Sequence, residues 1–144
     1  MIFSLTSYVT HETDKFSDIV VEIREAIKKT VLNKRYFPIN LDVFVGLICE
    51  EPPFEGFYKY RRPRFSRVKN KDGLVVNYKF VYEFIIPYDT IANQDLVKLT
   101  KRHFIESLNF FDKIKEIDVS SLKQDMLEVV TAYKHAPVYL QTRN

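Results

Sequence analysis

The chain has no Trp, a single Cys and only three Gly in 144 residues. So few Gly leave few positions free to take a positive φ, which excludes Gly-rich phosphate loops such as GxGxxG and GxxxxGK[ST]. One Cys excludes an intrachain disulfide framework and a CxxC metal knuckle. No apolar run approaches the roughly 20 residues that span a bilayer. Residues Met1 to Thr10 lack the basic start, sustained apolar stretch and small-residue cleavage site of a secretory signal. A lone Cys49 inside an apolar segment suits a reducing compartment, so a cytoplasmic location is expected. These absences speak against a cofactor enzyme: no cofactor, no metal and no membrane partner are expected.

Aromatics and charge are what the chain has instead. It carries 12 Phe and 9 Tyr within an apolar fraction of 46%, enough to build one core over this length. A single domain is expected over residues 1–136, followed by a loose or lightly docked tail over 137–144.

Apolar spacing sets the expected elements. Phe3 and Leu5 alternate with Ser4 and Thr6 in a first strand over 2–9. Phe16, Ile19, Val20, Ile23, Ile27 and Val31 recur every three or four residues, which predicts a helix from about 14 to 34. Acids at its start (Glu12, Asp14, Asp18) and Lys28, Lys29, Lys34 and Arg35 at its end match the helix dipole. Leu41, Val43, Val45, Leu47 and Cys49 alternate with Asp42, Phe44, Gly46 and Ile48 in a second strand that stops at Glu50-Glu51-Pro52-Pro53. Residues 57–68 and 74–86 read as a hairpin joined by Lys71-Asp72-Gly73, with Gly in the left-handed position and a bulge. Even positions from Leu74 to Ile86 are all large and apolar or aromatic, so that whole row is expected to be buried.

After Pro87 the period returns to helix. Asn93 is the expected cap of a helix carrying Leu96, Leu99, His103, Ser107, Phe111 and Ile114, and Ser120 or Ser121 that of a last helix with Leu122, Met126, Val129 and Val130. The expected fold is α+β, in the order β-α-β-β-β-α-α: a mostly antiparallel four-stranded sheet with three helices on one face.

Few residues have the arrangement of catalysts. His11, His103 and His135 lack ligand spacing. His103 and Glu106 stand at i, i+3, but His103 falls on the apolar stripe and reads as a packed histidine rather than a hydrolase residue. Cys49 reads as a small core hydrophobe. Adjacent Glu50 and Glu51 point to opposite sides of an extended chain and make no carboxylate pair.

Charge placement is the outstanding feature. No acid lies between Glu55 and Asp72, whereas Lys59, Arg61, Arg62, Arg64, Arg67, Lys69 and Lys71 supply seven positive charges; removing those seven from the net +3 leaves the rest of the chain at −4. Phe57, Tyr58, Tyr60, Pro63 and Phe65 are interleaved with them. Arg among aromatics is the composition of protein-binding hot spots and of nucleic-acid platforms; a charged edge strand that blocks unwanted pairing has it too. The acidic remainder, and the absence of RNP1 or GxxG motifs, weigh against nucleic acid. Strict alternation would drive Arg62 and Arg64, or Arg61 and Arg67, onto the buried face. A bulge or strand break at Arg62-Pro63 is therefore expected, with Phe65 inward and the arginines outward beside Val81, Ile85, Phe44 and Ile48.

Several of these segments, in this order, resemble a known group. They are the run Phe57-Tyr58-Lys59-Tyr60-Arg61-Arg62, the turn Lys69-Asn70-Lys71-Asp72-Gly73, the strand Leu74 to Phe80, the helix Leu96 to Ile114 and the closing helix Ser121 to Val130. Over residues 1–132 the chain looks like small immunity proteins of bacterial polymorphic-toxin and contact-dependent growth inhibition systems. The resemblance implies a non-enzymatic cytoplasmic antidote that binds one cognate toxin domain, often a nuclease. It carries over no catalytic residue. Tyr60, Arg61, Arg62, Arg64 and Arg67 are the expected contact residues, with a homodimer through the exposed sheet edge as a further possibility. The alternatives are docking through the acidic stretches Glu12 to Glu25 and Glu50 to Glu55, or a nucleic-acid-binding accessory role for the basic hairpin 57–71.

Overall fold

Strand β1 (Phe3–Val9) buries Phe3 and Leu5 and turns Ser4 and Thr6 the other way, as its alternation requires. The computed structural model describes residues 1–9, 14–50, 63–87 and 93–139. After β1 come α1 (Asp14–Val31), β2 (Asn40–Glu50), β3 (Arg64–Lys69), β4 (Val75–Pro87), α2 (Leu96–Asn109), a 3-10 turn (Phe110–Lys113) and α3 (Ser120–Ala132). The α+β class and the four-stranded sheet with three helices are as the sequence suggests. The 3-10 turn is an addition to the expected order.

The sheet is mixed, not mostly antiparallel. Its strand order is β1-β2-β4-β3; β1 and β4 both run parallel to β2, and only β3 and β4 pair antiparallel. Two physical causes produce this. Helix α1 carries the chain back so that β2 pairs parallel to β1, the usual βαβ arrangement. The place beside β2 then goes to β4, whose Tyr78, Phe80, Tyr82, Phe84 and Ile86 are all buried. Strand β3 is exposed at five of six positions and is left at the edge, where charged residues guard against further pairing.

The core lies between the helices and the row Phe3, Leu5, Leu41, Val43, Val45, Leu47, Tyr78, Phe80, Tyr82 and Phe84. Phe104 of α2 meets Phe3 edge-on with ring centroids 5.9 Å apart. Phe111 meets Phe80 at 4.7 Å and 74°. Two hydroxyl–carboxylate bonds fasten the helices: Tyr36 donates to Asp125 at 2.6 Å, and Tyr133 to Glu22 at 2.7 Å. Burial and the neighbouring carboxylate both raise these tyrosine pKa values, so the phenols remain donors at neutral pH.

Helix ends correct several expectations. α1 closes at Val31, three residues early. Asp95, not Asn93, caps α2, its carboxylate accepting from the Val97 amide at 3.0 Å; Asn93 itself takes φ 66° in the preceding turn. Ser120 is the first residue of α3 rather than its cap, and Asp118 accepts from both its amide and its hydroxyl. The tail docks at Val138, whose amide donates to Asp95 and whose carbonyl accepts from Leu96.

The hairpin turn follows the sequence expectation, with Gly73 at φ 79° and the Asn70 side chain accepting from the Asp72 and Leu74 amides. The row of even β4 positions does not stay buried to its tip. Leu74 is 63% and Val76 48% exposed: the ladder slips between Val68 and Lys69, which leaves Val76 unpaired across from β3.

Candidate docking surface

Among the described residues no element covers the second face of the sheet. The register places Ser4 and Thr6 of β1 beside Phe44 and Gly46 of β2, then Val81 and Glu83 of β4, then Arg64 of β3. Phe44, Ile48 and Val81 are half-buried there, while Lys79 and Ser66 are exposed. A shallow depression of about 320 Å³ lies over Gly46, walled by Phe44 and Val81 and edged by Ser4, Thr6 and Glu83. The Arg64 guanidinium stands 3.5 Å from the Glu83 carboxylate across this face.

The expected contact residues divide. Arg64 lies on the uncovered face opposite Val81, as expected, and Phe65 turns inward to stack on Tyr78 at 5.2 Å. Arg67 departs only from the expected outward placement beside Val81: it pairs with Tyr78 in register and so belongs to the helix-covered side, where it reaches the rim and forms a two-point ion pair with Glu116, Nε donating at 2.8 Å. Alternation does drive an arginine to that side, and a carboxylate meets it there. Tyr60, Arg61 and Arg62 lie outside the described residues, as do the first arm from 57 to 62 and the point of the expected bulge; β3 begins directly after Pro63. The side chains of Cys49, Glu50 and Ile85 are likewise outside the description.

At the β1 end of the same face sits a group the sequence reading missed. Asp42 is only 5% exposed. Its carboxylate accepts from the Ile2 amide at 2.8 Å, Asn40 Nδ2 at 2.8 Å and Asn77 Nδ2 at 3.0 Å, tying three strands together. Burial alone would raise its pKa, but the three donors together hold it below the ordinary carboxylate range. The signal was visible as a lone acid in an apolar strand.

The histidines do not converge. His103 packs tilted on Phe84 with centroids 4.4 Å apart, its Nδ1 buried without a hydrogen-bond partner and 3.8 Å from Glu106. His135 is exposed beside Tyr133, and His11 is outside the described residues. Burial lowers the His103 pKa, Glu106 opposing and Arg102 assisting. The folded state therefore holds the proton less tightly than the unfolded state, and stability is expected to fall as pH drops below the ordinary histidine range near 6.5. Urea midpoints from pH 7.5 to 5 should show this slope in the wild type and not in His103→Phe; equal slopes would sink the assignment.

Among the described residues no three His, Cys, Asp or Glu side chains gather in a way that could hold a metal, and no helix is long and apolar enough to cross a membrane. What the fold displays is a half-apolar sheet face with charge around it, the layout of a binding domain. The sequence agrees with that class: residues 1–132 match the family described as Immunity protein 44, and the chain belongs to that family. No curated protein and no solved structure matches the chain.

Proposed function

We propose that the protein neutralises a cognate bacterial toxin domain by binding it, without catalysis of its own, through the uncovered sheet face and the basic hairpin beside it. Membership of an immunity-protein family supports the neutralising role. The uncovered face carries the choice of surface: Phe44, Ile48 and Val81 form a half-buried centre, and Arg64 and Lys79 a cationic border. An apolar centre with a charged rim is how protein interfaces are built, and guanidinium groups at the rim select carboxylates, so the complementary toxin surface is acidic. Tyr60, Arg61 and Arg62 precede this border in the chain and extend the proposed contact. Arg67 serves instead to tether the hairpin to Glu116.

A polymorphic-toxin or contact-dependent inhibition system, acting in the cytoplasm with a nuclease as the toxin, is the setting in which this reading places the protein.

The test is co-expression with the toxin domain encoded beside this gene. Wild type should protect the cells and co-purify with the toxin. Arg64→Glu should weaken the complex about 10-fold or more with unfolding unchanged, since Arg64 is exposed. Protection by the wild type with equal affinity for Arg64→Glu and for Phe44→Glu would move the interface elsewhere. Tight RNA or DNA binding with a steep salt slope, and no toxin complex, would replace this reading with the nucleic-acid one.

A further inference from the structure

Gly46 sits in the middle of an interior strand, paired on one side with Thr6 and on the other with Glu83. Glycine there weakens the sheet, because it loses more chain entropy than any other residue and offers no side chain to pack. The fold does not ask for it. Among the described residues only Gly73 and Asn93 take a positive φ, so Gly46 has backbone angles open to any residue. A Cβ added at Gly46 would meet Thr6 Oγ1 at 3.6 Å and Glu83 Cγ at 3.7 Å, both ordinary contacts. The one thing Gly46 provides is space, the floor of the 320 Å³ depression on the uncovered face.

We infer that Gly46 floors a socket that receives one tyrosine side chain of the toxin domain; this rests on the toxin-binding reading above. Chemistry selects that occupant. The depression has room for an aromatic side chain, and Phe44 and Val81, paired neighbours on β2 and β4, present one continuous apolar wall to a ring. On the β1 side of the floor stand the hydroxyls of Ser4 and Thr6, which suit a phenol. A lysine or arginine fits less well, since Arg64 already stands 3.5 Å from Glu83 and would repel a second cation. An acidic side chain would meet the Glu83 carboxylate directly. A glycine floor lets the ring lie on the backbone, the close approach for which glycine in a strand is used.

Gly46→Ala and Gly46→Val fill the socket from below. Both should unfold at urea concentrations equal to or above the wild-type midpoint, while affinity for the toxin domain encoded beside the gene falls about 10-fold for Ala and about 100-fold for Val. In the toxin, one Tyr→Ala change should cost as much, and should cost little more when combined with Gly46→Val. If the wild type binds and Gly46→Val binds within about twofold of it, the socket is overturned and the toxin reading stands. If Gly46→Ala lowers the unfolding midpoint, the fold itself needs the glycine and the socket is overturned too. Failure of the wild type to bind overturns both.

Discussion

Replacing Phe111 by Ala is expected to lower the unfolding free energy by about 3–5 kcal/mol, the usual cost of emptying a phenylalanine site in a core. Phe111 is fully buried although it sits in a one-turn 3-10 segment between α2 and α3. Its ring fills the space against Phe80 at 4.7 Å, and Phe80 is itself fully buried in the strand that holds β2 and β3 together. Neighbouring Phe110 lies on Tyr82 at 4.9 Å, so the same short turn seals the sheet at two adjacent positions. The ring's surroundings belong to paired strands and packed helices, so the void closes only in part. Urea unfolding at neutral pH measures the loss, and Phe111→Leu should recover more than half of it. A loss below about 1 kcal/mol for Phe111→Ala would mean that the turn is not anchored through this ring.

The second large effect is expected at Asp42. Asp42→Leu removes the acceptor of three hydrogen bonds and leaves the Ile2 amide and the Asn40 and Asn77 side-chain amides to find other partners at the edge of a packed sheet. Hydrogen bonds to a charged group are worth about 1.5–3 kcal/mol each, and partial rehydration of the exposed donors reduces the total, so about 2–4 kcal/mol is expected. Asp42→Asn keeps the shape and loses the charge, and should cost less. Acid separates the two contributions. The folded-state pKa of Asp42 is lowered, so the unfolded chain binds the proton first, and the stability present at neutral pH is lost as pH falls through and below the ordinary carboxylate range. The gap in urea midpoint between wild type and Asp42→Asn should be smaller at about pH 3.5 than at pH 7. A difference that does not narrow on acidification would show that the Asp42 charge is not what binds the three strands.

These two sites explain why the core does not need the uncovered face. The aromatic contacts on the helix side and the Asp42 cluster at the end of the sheet hold the strands in register without any residue at Gly46, Phe44 or Val81 having to pack beneath a helix. A face not needed for the core is free to be specific for a partner. Arg67 shows the same separation: it reaches Glu116 on the helix side, and Arg64, three residues away, lies on the uncovered face.

Local chemistry was legible wherever one segment decides its own state. The period-two rows of β1, β2 and β4, the dipole-matched charges of α1, the Gly73 turn and the inward Phe65 all follow from residues within a few positions of one another. Caps were less legible, because Asn93, Asp95, Asp118 and Ser120 are all capping types and only the path of the chain chooses among them. The basic hairpin was legible as a charged segment, and as an edge strand among other readings. Which arginine lies on the uncovered face was not, since that depends on where β3 begins and on the Glu116 carboxylate 49 residues away in the chain.

The sequence by itself determined the α+β class, the aromatic layer that forms the core, the basic hairpin and the absence of Gly-rich phosphate loops and Cys-based metal motifs, because each of these is set by residue type and short-range spacing. Only the tertiary structure decided that β4 rather than β3 lies beside β2, making the sheet mixed, that Arg67 meets Glu116, and that a shallow depression lies at Gly46 on the uncovered face. Those outcomes depend on competition between distant segments: the strand with the most apolar area takes the interior place, and what the remaining residues can do follows from where that leaves them.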